Sequence, residues 1–257
     1  MPEGDTIHYH ANKIRPVLAG YVPDAIATPH PRFARDRWPE RLAGRAVTSV
    51  DAHGKHLFLR FEGGLVIHSH LQMTGKWRVR DTDYRLPRNT WLVITREPKL
   101  VAQINGPVLE LMSAGRARFD RRLAMLGPDI LAPELDEQAF LRRLRADDPT
   151  RPIGDALLDQ RIIAGIGNLW KVEGCFQAGI DPWRRTGDVS DAEALAVVHA
   201  TRPRMQQSAR DGMQDRFKVV YGTAGRPCPR CGERSTIRAR GQGDDNRTTY
   251  WCPRCQR

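Results

Sequence analysis

The chain opens Met1-Pro2-Glu3-Gly4-Asp5-Thr6. A small second residue lets an initiator methionine be removed, so Pro2 is expected to present a free secondary amine. Glu3 sets a carboxylate beside it. An amine nucleophile with an adjacent acid or base is the pair that Schiff-base chemistry on an aldehyde-level carbon requires. Many chains begin Met-Pro without such chemistry, so this dipeptide gains meaning only from the rest of the sequence.

The other end reads as a metal site. Cys228-Pro229-Arg230-Cys231 is followed after twenty residues by Cys252-Pro253-Arg254-Cys255. Two CxxC pairs at this separation have the spacing of a four-cysteine zinc ribbon. Two knuckles complete a tetrahedron and leave no open position, so one structural Zn2+ is expected, with no catalytic part. Two disulfides are the alternative, disfavoured because no apolar N-terminal segment suggests export. Cys175, in the apolar stretch Val172 to Ile180, reads as a buried core thiol. The ribbon carries Arg226, Arg230, Arg234, Arg238, Arg240, Arg247, Arg254 and Arg257 against Glu233, Asp244 and Asp245. With so little apolar residue content, its folding energy must come from the metal, which leaves arginines free to face a polyanion.

Over the whole chain 41 Lys and Arg stand against 30 Asp and Glu, a net charge of +11. That excess points to nucleic acid or another anionic surface as partner. No run of about 18 apolar residues exists, which argues against a membrane span. A cytoplasmic, nucleoid-associated monomer with no small-molecule cofactor is expected.

The elements that must position these residues can be read in outline. Ile7, Ala11, Ile14 and Leu18 share one face of a helix from about Asp5 to Leu18; Gly20 is its stop and Pro16 weakens its last turn. From Ala46 to Met112 the period changes to two. Leu57, Leu59 and Phe61 alternate with more polar neighbours, and Glu62-Gly63-Gly64 turns the chain into Leu65-Val66-Ile67. Further strands are expected at 76–80, 91–95, 100–104 and 108–112, making an antiparallel sandwich or barrel. The second half reads as helical: 137–146, 155–163, and a helix opened by the capping box Ser190-Asp191-Ala192-Glu193, which Pro203 is expected to end or kink. The proline- and charge-rich stretch 131–152 reads as a linker. Gly165-Ile166-Gly167-Asn168 joins two helical stretches, and its glycines could let a helix N-terminus approach a phosphate; an ordinary N-cap is the alternative.

Together these motifs resemble the formamidopyrimidine-DNA glycosylase and endonuclease VIII family of base-excision enzymes. The resemblance rests on Met-Pro-Glu-Gly-Asp, His53-Gly54-Lys55, His70-Leu71-Gln72-Met73-Thr74-Gly75, Gly165-Ile166-Gly167-Asn168 and the terminal four cysteines, in the family's order. It implies an α+β fold: an N-terminal antiparallel β-sandwich over 1–130, a linker at 131–152, a helix–two-turn–helix domain over 153–221 and a zinc finger over 222–257. It also implies a bifunctional glycosylase and lyase acting on damaged DNA. Pro2 is the nucleophile at C1′ and Glu3 its acid/base partner. Lys55, Asn168 and Arg247 hold phosphates, while Gln72, Met73 and Thr74 fill the gap left by the extruded base. Glu173 matches a second carboxylate of the family, with a purely structural role as the alternative.

The chain has Trp170-Lys171-Val172 where relatives often carry Tyr-Ala-Asp. The connection from Asp211 to Tyr221 is short where the purine-specific branch has a longer capping loop. With the opening motif, this points to the endonuclease VIII branch and to oxidised pyrimidines. A non-catalytic damaged-DNA-binding protein on the same scaffold, or a purine-preferring glycosylase, are the alternatives; Pro2, Glu3 and Lys55 favour the enzyme.

Overall fold

The computed structural model describes residues 2–33 and 35–257. They fall into two units, one comprising Pro2 and Thr6–Ala124, the other Glu3–Asp5 and Met125–Arg257.

Helix α1 spans Gly4–Leu18, and Ile7, Ala11, Ile14 and Leu18 form its buried face as the spacing predicts. Pro16 does not weaken the last turn: the helix runs to Leu18, and the Ala19 amide still donates to the Arg15 carbonyl at 2.9 Å. Gly20, at φ 87°, takes the left-handed conformation that turns the chain away.

After β1 (Ala25–Ala27) and the short helix α2 (Trp38–Leu42) come β2 (Val47–His53), β3 (His56–Phe61), β4 (Leu65–His70), β5 (Lys76–Asp81), β6 (Thr90–Arg96), β7 (Lys99–Ile104) and β8 (Val108–Ser113). They build two four-stranded antiparallel sheets, ordered β1-β6-β7-β5 and β2-β3-β4-β8. Alternate residues of both sheets, Leu57, Leu59 and Ile67 from one and Trp77, Ile94 and Val101 from the other, meet α1 in one apolar core. Two short helices, α3 (Ala114–Phe119) and α4 (Arg121–Ala124), complete the unit.

In the second unit α5 (Glu137–Arg145) is capped by Asp136, whose carboxylate accepts the Ala139 amide at 2.7 Å. Its Phe140, Leu141 and Leu144 join Ile130 and Leu131 in the unit's main core. Residues 131–152 are thus not the linker their composition suggests: the charges lie on the outer face of an amphipathic helix. The helix expected over 155–163 shrinks to α6 (Ile153–Ala156). Beyond it, the Asp159 carboxylate accepts the Arg161 amide at 2.9 Å, a local bond that competes with helix formation. Helix α7 (Asn168–Ala178) and α8 (Asp191–Asp211) follow, the latter with its Ser190–Glu193 capping box formed. Pro203 neither ends nor shortens α8, which continues eight residues past it to Gly212 at φ 74°. The ribbon is made of β9 (Pro227–Cys228), β10 (Gly232–Thr236), β11 (Arg238–Gln242) and β12 (Arg247–Trp251), paired as two hairpins. Its apolar support is small, with Val172 and Phe176 of α7 packing against Val220, Ile237 and two of the cysteines. Among the described residues no helix is long and apolar enough to cross a membrane.

Candidate active site

The Glu3 carboxylate is buried at the N-terminus of α7, in the second unit. Oε2 accepts the amides of Gly167 at 2.9 Å and Trp170 at 3.3 Å, and Oε1 accepts that of Leu169 at 2.9 Å. These amides have no intrahelical partner, and the helix dipole is positive at this end, so an anionic side chain is favoured there. The glycines of the turn serve this contact. A Cβ on Gly167 would lie 2.2 Å from Glu3 Cδ. On the neighbouring strand of chain, the Gly4 amide donates to the Gly165 carbonyl at 2.9 Å, too close for a Cβ on Gly4. The glycine turn is therefore not the backbone cradle for a phosphate that its spacing suggests: Glu3 occupies those amides.

Asp5 is a second anchor that sequence reasoning missed. Fully buried, it accepts the Ser208 hydroxyl at 2.5 Å and the Gln214 amide at 3.0 Å. An acidic residue in the first turn of a helix reads as a dipole partner, and nothing local signals contacts some two hundred residues away.

Asn168 is buried, with Nδ2 donating to the Thr248 carbonyl at 2.8 Å and Oδ1 without a hydrogen-bond partner. One helical turn on, the fully buried Lys171 donates from Nζ to Gln242 Oε1 at 3.1 Å and Thr249 Oγ1 at 2.5 Å. Burial pulls the Lys171 pKa down to about 8. Both contacts fall on the β11–β12 hairpin, where Gln242 pairs with Arg247. Thus α7 holds in place the strand that carries Arg247. The guanidinium of Arg247 donates to Asp245 at 3.0 Å across the hairpin turn.

Glu173, expected as a second functional carboxylate, is pinned differently. Its Oε1 accepts the amides of Val219, Val220 and Tyr221 at 2.8, 2.9 and 2.8 Å, while Oε2 is buried without a partner. Burial pushes its pKa up against the pull of those amides.

The first unit carries a separate group. Lys55 sits in the two-residue turn between β2 and β3, where Gly54 at φ 55° supplies the left-handed first position. Beside it, the neighbouring ends of the central strands β3 and β4 carry histidines. His56 Nδ1 lies 2.9 Å from His68 Nε2, His68 Nδ1 lies 3.3 Å from Glu110 Oε2, and Arg122 donates to the same carboxylate at 3.1 Å. Burial, then the neighbouring histidines, lower His56 to about 2; burial and Lys55 lower His70 to about 4. These rings are neutral near pH 7, leaving Lys55 to supply the positive charge of the hairpin tip. The next turn, 71–75, presents Met73 at 65% exposure, with Gln72 and Thr74 exposed on either side. Met73 is not a core methionine. Phe119, at 80% exposure, stands among Arg116, Arg118, Arg121 and Arg122. Sequence reasoning passed over it, although an aromatic inside an arginine run is a nucleic-acid signal.

The four cysteines of the ribbon converge, with their Sγ atoms all within 4.8 Å of one another. Cys228–Cys255 and Cys231–Cys252 Sγ separations are both 3.8 Å. A tetrahedron with bonds of ~2.3 Å has edges of ~3.8 Å, whereas a disulfide needs ~2.05 Å. The donor set therefore fits one tetrahedral metal ion and neither of two disulfides. Cys175 is buried outside this cluster.

Residues 1–116 match the formamidopyrimidine-DNA glycosylase N-terminal domain, and residues 126–218 match the formamidopyrimidine-DNA glycosylase H2TH domain. The chain belongs to the formamidopyrimidine-DNA glycosylase family. Its enzymatic class, that of DNA-repair glycosylases and abasic-site lyases, goes with that membership. It is 38% identical to a probable endonuclease 8 2 of Streptomyces coelicolor, over all of this chain and 94% of the relative. It is 37% identical to the DNA-(apurinic or apyrimidinic site) lyase Nei2 of Mycolicibacterium smegmatis, over 100% and 99% of the two chains. Endonuclease 8 of Escherichia coli is 30% identical over the full length of both. These names agree with the endonuclease VIII side of the family. The fold is that of Lactococcus lactis Fpg, solved non-covalently bound to DNA containing an abasic site, with a TM-score of 0.83, 22% identity and full coverage of both chains.

In the run Trp170-Lys171-Val172, Lys171 has a visible structural consequence. Its ammonium group fills the space between α7 and the finger hairpin and takes two hydrogen bonds there.

Proposed function

We propose that the protein is a bifunctional DNA glycosylase and abasic-site lyase that excises oxidised bases, pyrimidines faster than purines. The observation that carries the reading is the burial of Glu3 against three α7 amides, immediately after Pro2 in the chain. A carboxylate fixed next to Pro2 in sequence is the partner that amine chemistry requires, and the enzymatic class of the family favours that role over binding alone.

In this reading the Pro2 nitrogen forms a bond to C1′ as the glycosidic bond breaks and the base departs with its electron pair. Glu3 serves as acid/base partner: it takes the proton that the Pro2 nitrogen releases on bonding to C1′ and passes it to the sugar ring oxygen as the ring opens to a cationic imine. The imine withdraws electrons from C2′. Loss of a C2′ proton then expels the 3′ phosphate, and a second elimination expels the 5′ phosphate. Water finally hydrolyses the imine and returns the amine. Lys55, Asn168 and Arg247 bind backbone phosphates and hold a kinked duplex without reading its sequence. The damaged base leaves the stack, and Gln72, Met73 and Thr74, with Phe119 in support, occupy the space it vacates. Glu173 acts through segment 219–221, which it fastens. One Zn2+ bound by Cys228, Cys231, Cys252 and Cys255 supplies the folding energy of the finger. The partner is damaged DNA, and the protein works as a cytoplasmic monomer on the nucleoid.

The pyrimidine preference rests on the connection after α8. Only six residues, 213–218, which include the single 3-10 turn Gln214–Phe217, separate Gly212 from the segment that Glu173 fastens, which leaves little chain to fold over a flipped purine. Borohydride should trap a covalent adduct on abasic-site DNA, and Pro2→Gly should abolish it. Trapping that survives this change would move the nucleophile elsewhere. Single-turnover excision of thymine glycol should outpace that of 8-oxoguanine opposite cytosine; the reverse order would defeat the pyrimidine reading. Elemental analysis should find one zinc per chain.

A further inference from the structure

The turn that presents Met73 has an unusual support. Leu71 is buried and anchors it. The Gly75 amide closes it onto the Leu71 carbonyl at 2.9 Å, so tightly that a Cβ on Gly75 would lie 2.8 Å from that oxygen. Between them Gln72 sits at φ 46°, in the left-handed region that a residue with a side chain avoids. Its amide has no strand or helix partner. It donates instead to the ring Nδ1 of His70, two residues back, at 3.1 Å.

His70 ends β4, paired with His56 on one side and Val108 on the other, and its ring meets that of His56 edge-on at 4.8 Å. The ring is thus fixed by the sheet, and Nδ1 is a fixed acceptor. Burial, Lys55 and His68 all hold the ring in its neutral form, so Nδ1 keeps its lone pair at working pH.

We propose that His70 is a positioning residue for the gap-filling turn: its Nδ1 caps the Gln72 amide and holds Gln72 in the left-handed conformation that points Met73 outward. The contact is a side-chain version of the bond that Asn and Asp make to an amide two residues on in turns. The inference rests on the reading of residues 72–74 as the segment that replaces an extruded base.

The test compares two activities of each variant: excision of thymine glycol from duplex DNA, which needs the gap filled, and cleavage of a preformed abasic site in single-stranded DNA, which has no gap. The readout is the ratio of the two single-turnover rates, so a general loss of folded protein cancels. His70→Phe keeps a ring but no acceptor, and should lower the ratio roughly 3- to 10-fold, the worth of one hydrogen bond. His70→Asn should restore it to within about 2-fold, because its Oδ1 reaches the same amide. His70→Gln, with its acceptor one bond further out, should not, and this Asn–Gln contrast stands even if the Phe variant fails to fold. Met73→Ala should lower the ratio as His70→Phe does. If Met73→Ala lowers it and the Asn and Gln variants are equal, the capping role is wrong and the proposed function stands. If Met73→Ala leaves it unaltered, the gap-filling reading of the turn fails and the inference falls with it.

Discussion

Two buried glutamates, Glu3 and Glu173, lie near the two ends of one turn-and-a-half of helix α7, and each accepts three backbone amides. The resemblance between them ends there. Glu3 divides its partners over both oxygens and takes them from a helix N-terminus, where the dipole favours a negative charge. Glu173 gathers all three on one oxygen and leaves the other buried and unpartnered. The first environment is built for an anion. The second is built for an acceptor and is indifferent to, or penalises, the charge. Identical side chains, each accepting three backbone amides, thereby sit in different settings.

The same substitution should separate them. If Glu3 moves protons as proposed, Glu3→Gln should slow base excision roughly 10²- to 10⁴-fold, the usual worth of a positioned proton-transfer group. A loss under about 10-fold in single-turnover excision would mean that Glu3 only holds the chain in place. A smaller effect should come from Gly167→Ala. Gly167 sits at φ −122°, open to any residue, so the only penalty is the collision with Glu3 Cδ. Forcing the carboxylate aside should cost about 1–3 kcal/mol of stability by overpacking and lower excision with it. If thermal unfolding of the Ala variant matches that of the parent, the fit around Glu3 is looser than described.

The smallest effect is expected from Glu173→Gln, which keeps the Oε1 acceptor. Glu173 has its pKa raised in the folded protein. The unfolded carboxyl therefore ionises first as pH rises above its ordinary value near 4.5, and the folded state loses stability until its own raised pKa is passed. Deleting the ionisation should flatten that part of the pH–stability curve and leave unfolding at pH 7 unaltered or slightly later. Marked destabilisation of the Gln variant at pH 7 would show that the charge itself matters and would erase the contrast with Glu3.

How much of this could be read from the chain alone follows from how local the signals are. The strands of the first unit, the α1 stripe and the Ser190–Glu193 cap lie where period and capping residues place them, because each signal spans a few neighbours. The two prolines misled because tertiary packing carries α1 and α8 through them. The stretch 131–152 misled because its charges hid an apolar face of only three residues. The ribbon cysteines were legible by spacing. Pro2 and Glu3 are singled out by residue type and family likeness, but the partners of Glu3 could not be: Gly167, Leu169 and Trp170 stand more than 160 residues away. The glycines there were noticed for the right spacing and given the wrong occupant.

That separation has a consequence for the chain during its synthesis. Glu3 and Asp5 are made well before the groups that fasten them here, the amides, hydroxyl and side-chain amide that lie between Gly167 and Gln214. Until those are made, neither carboxylate has the hydrogen bonds described here. A chain interrupted before α7 therefore never assembles the environment of Glu3. In order of synthesis, the setting of Glu3 is completed only by the second unit, so every incomplete copy lacks it.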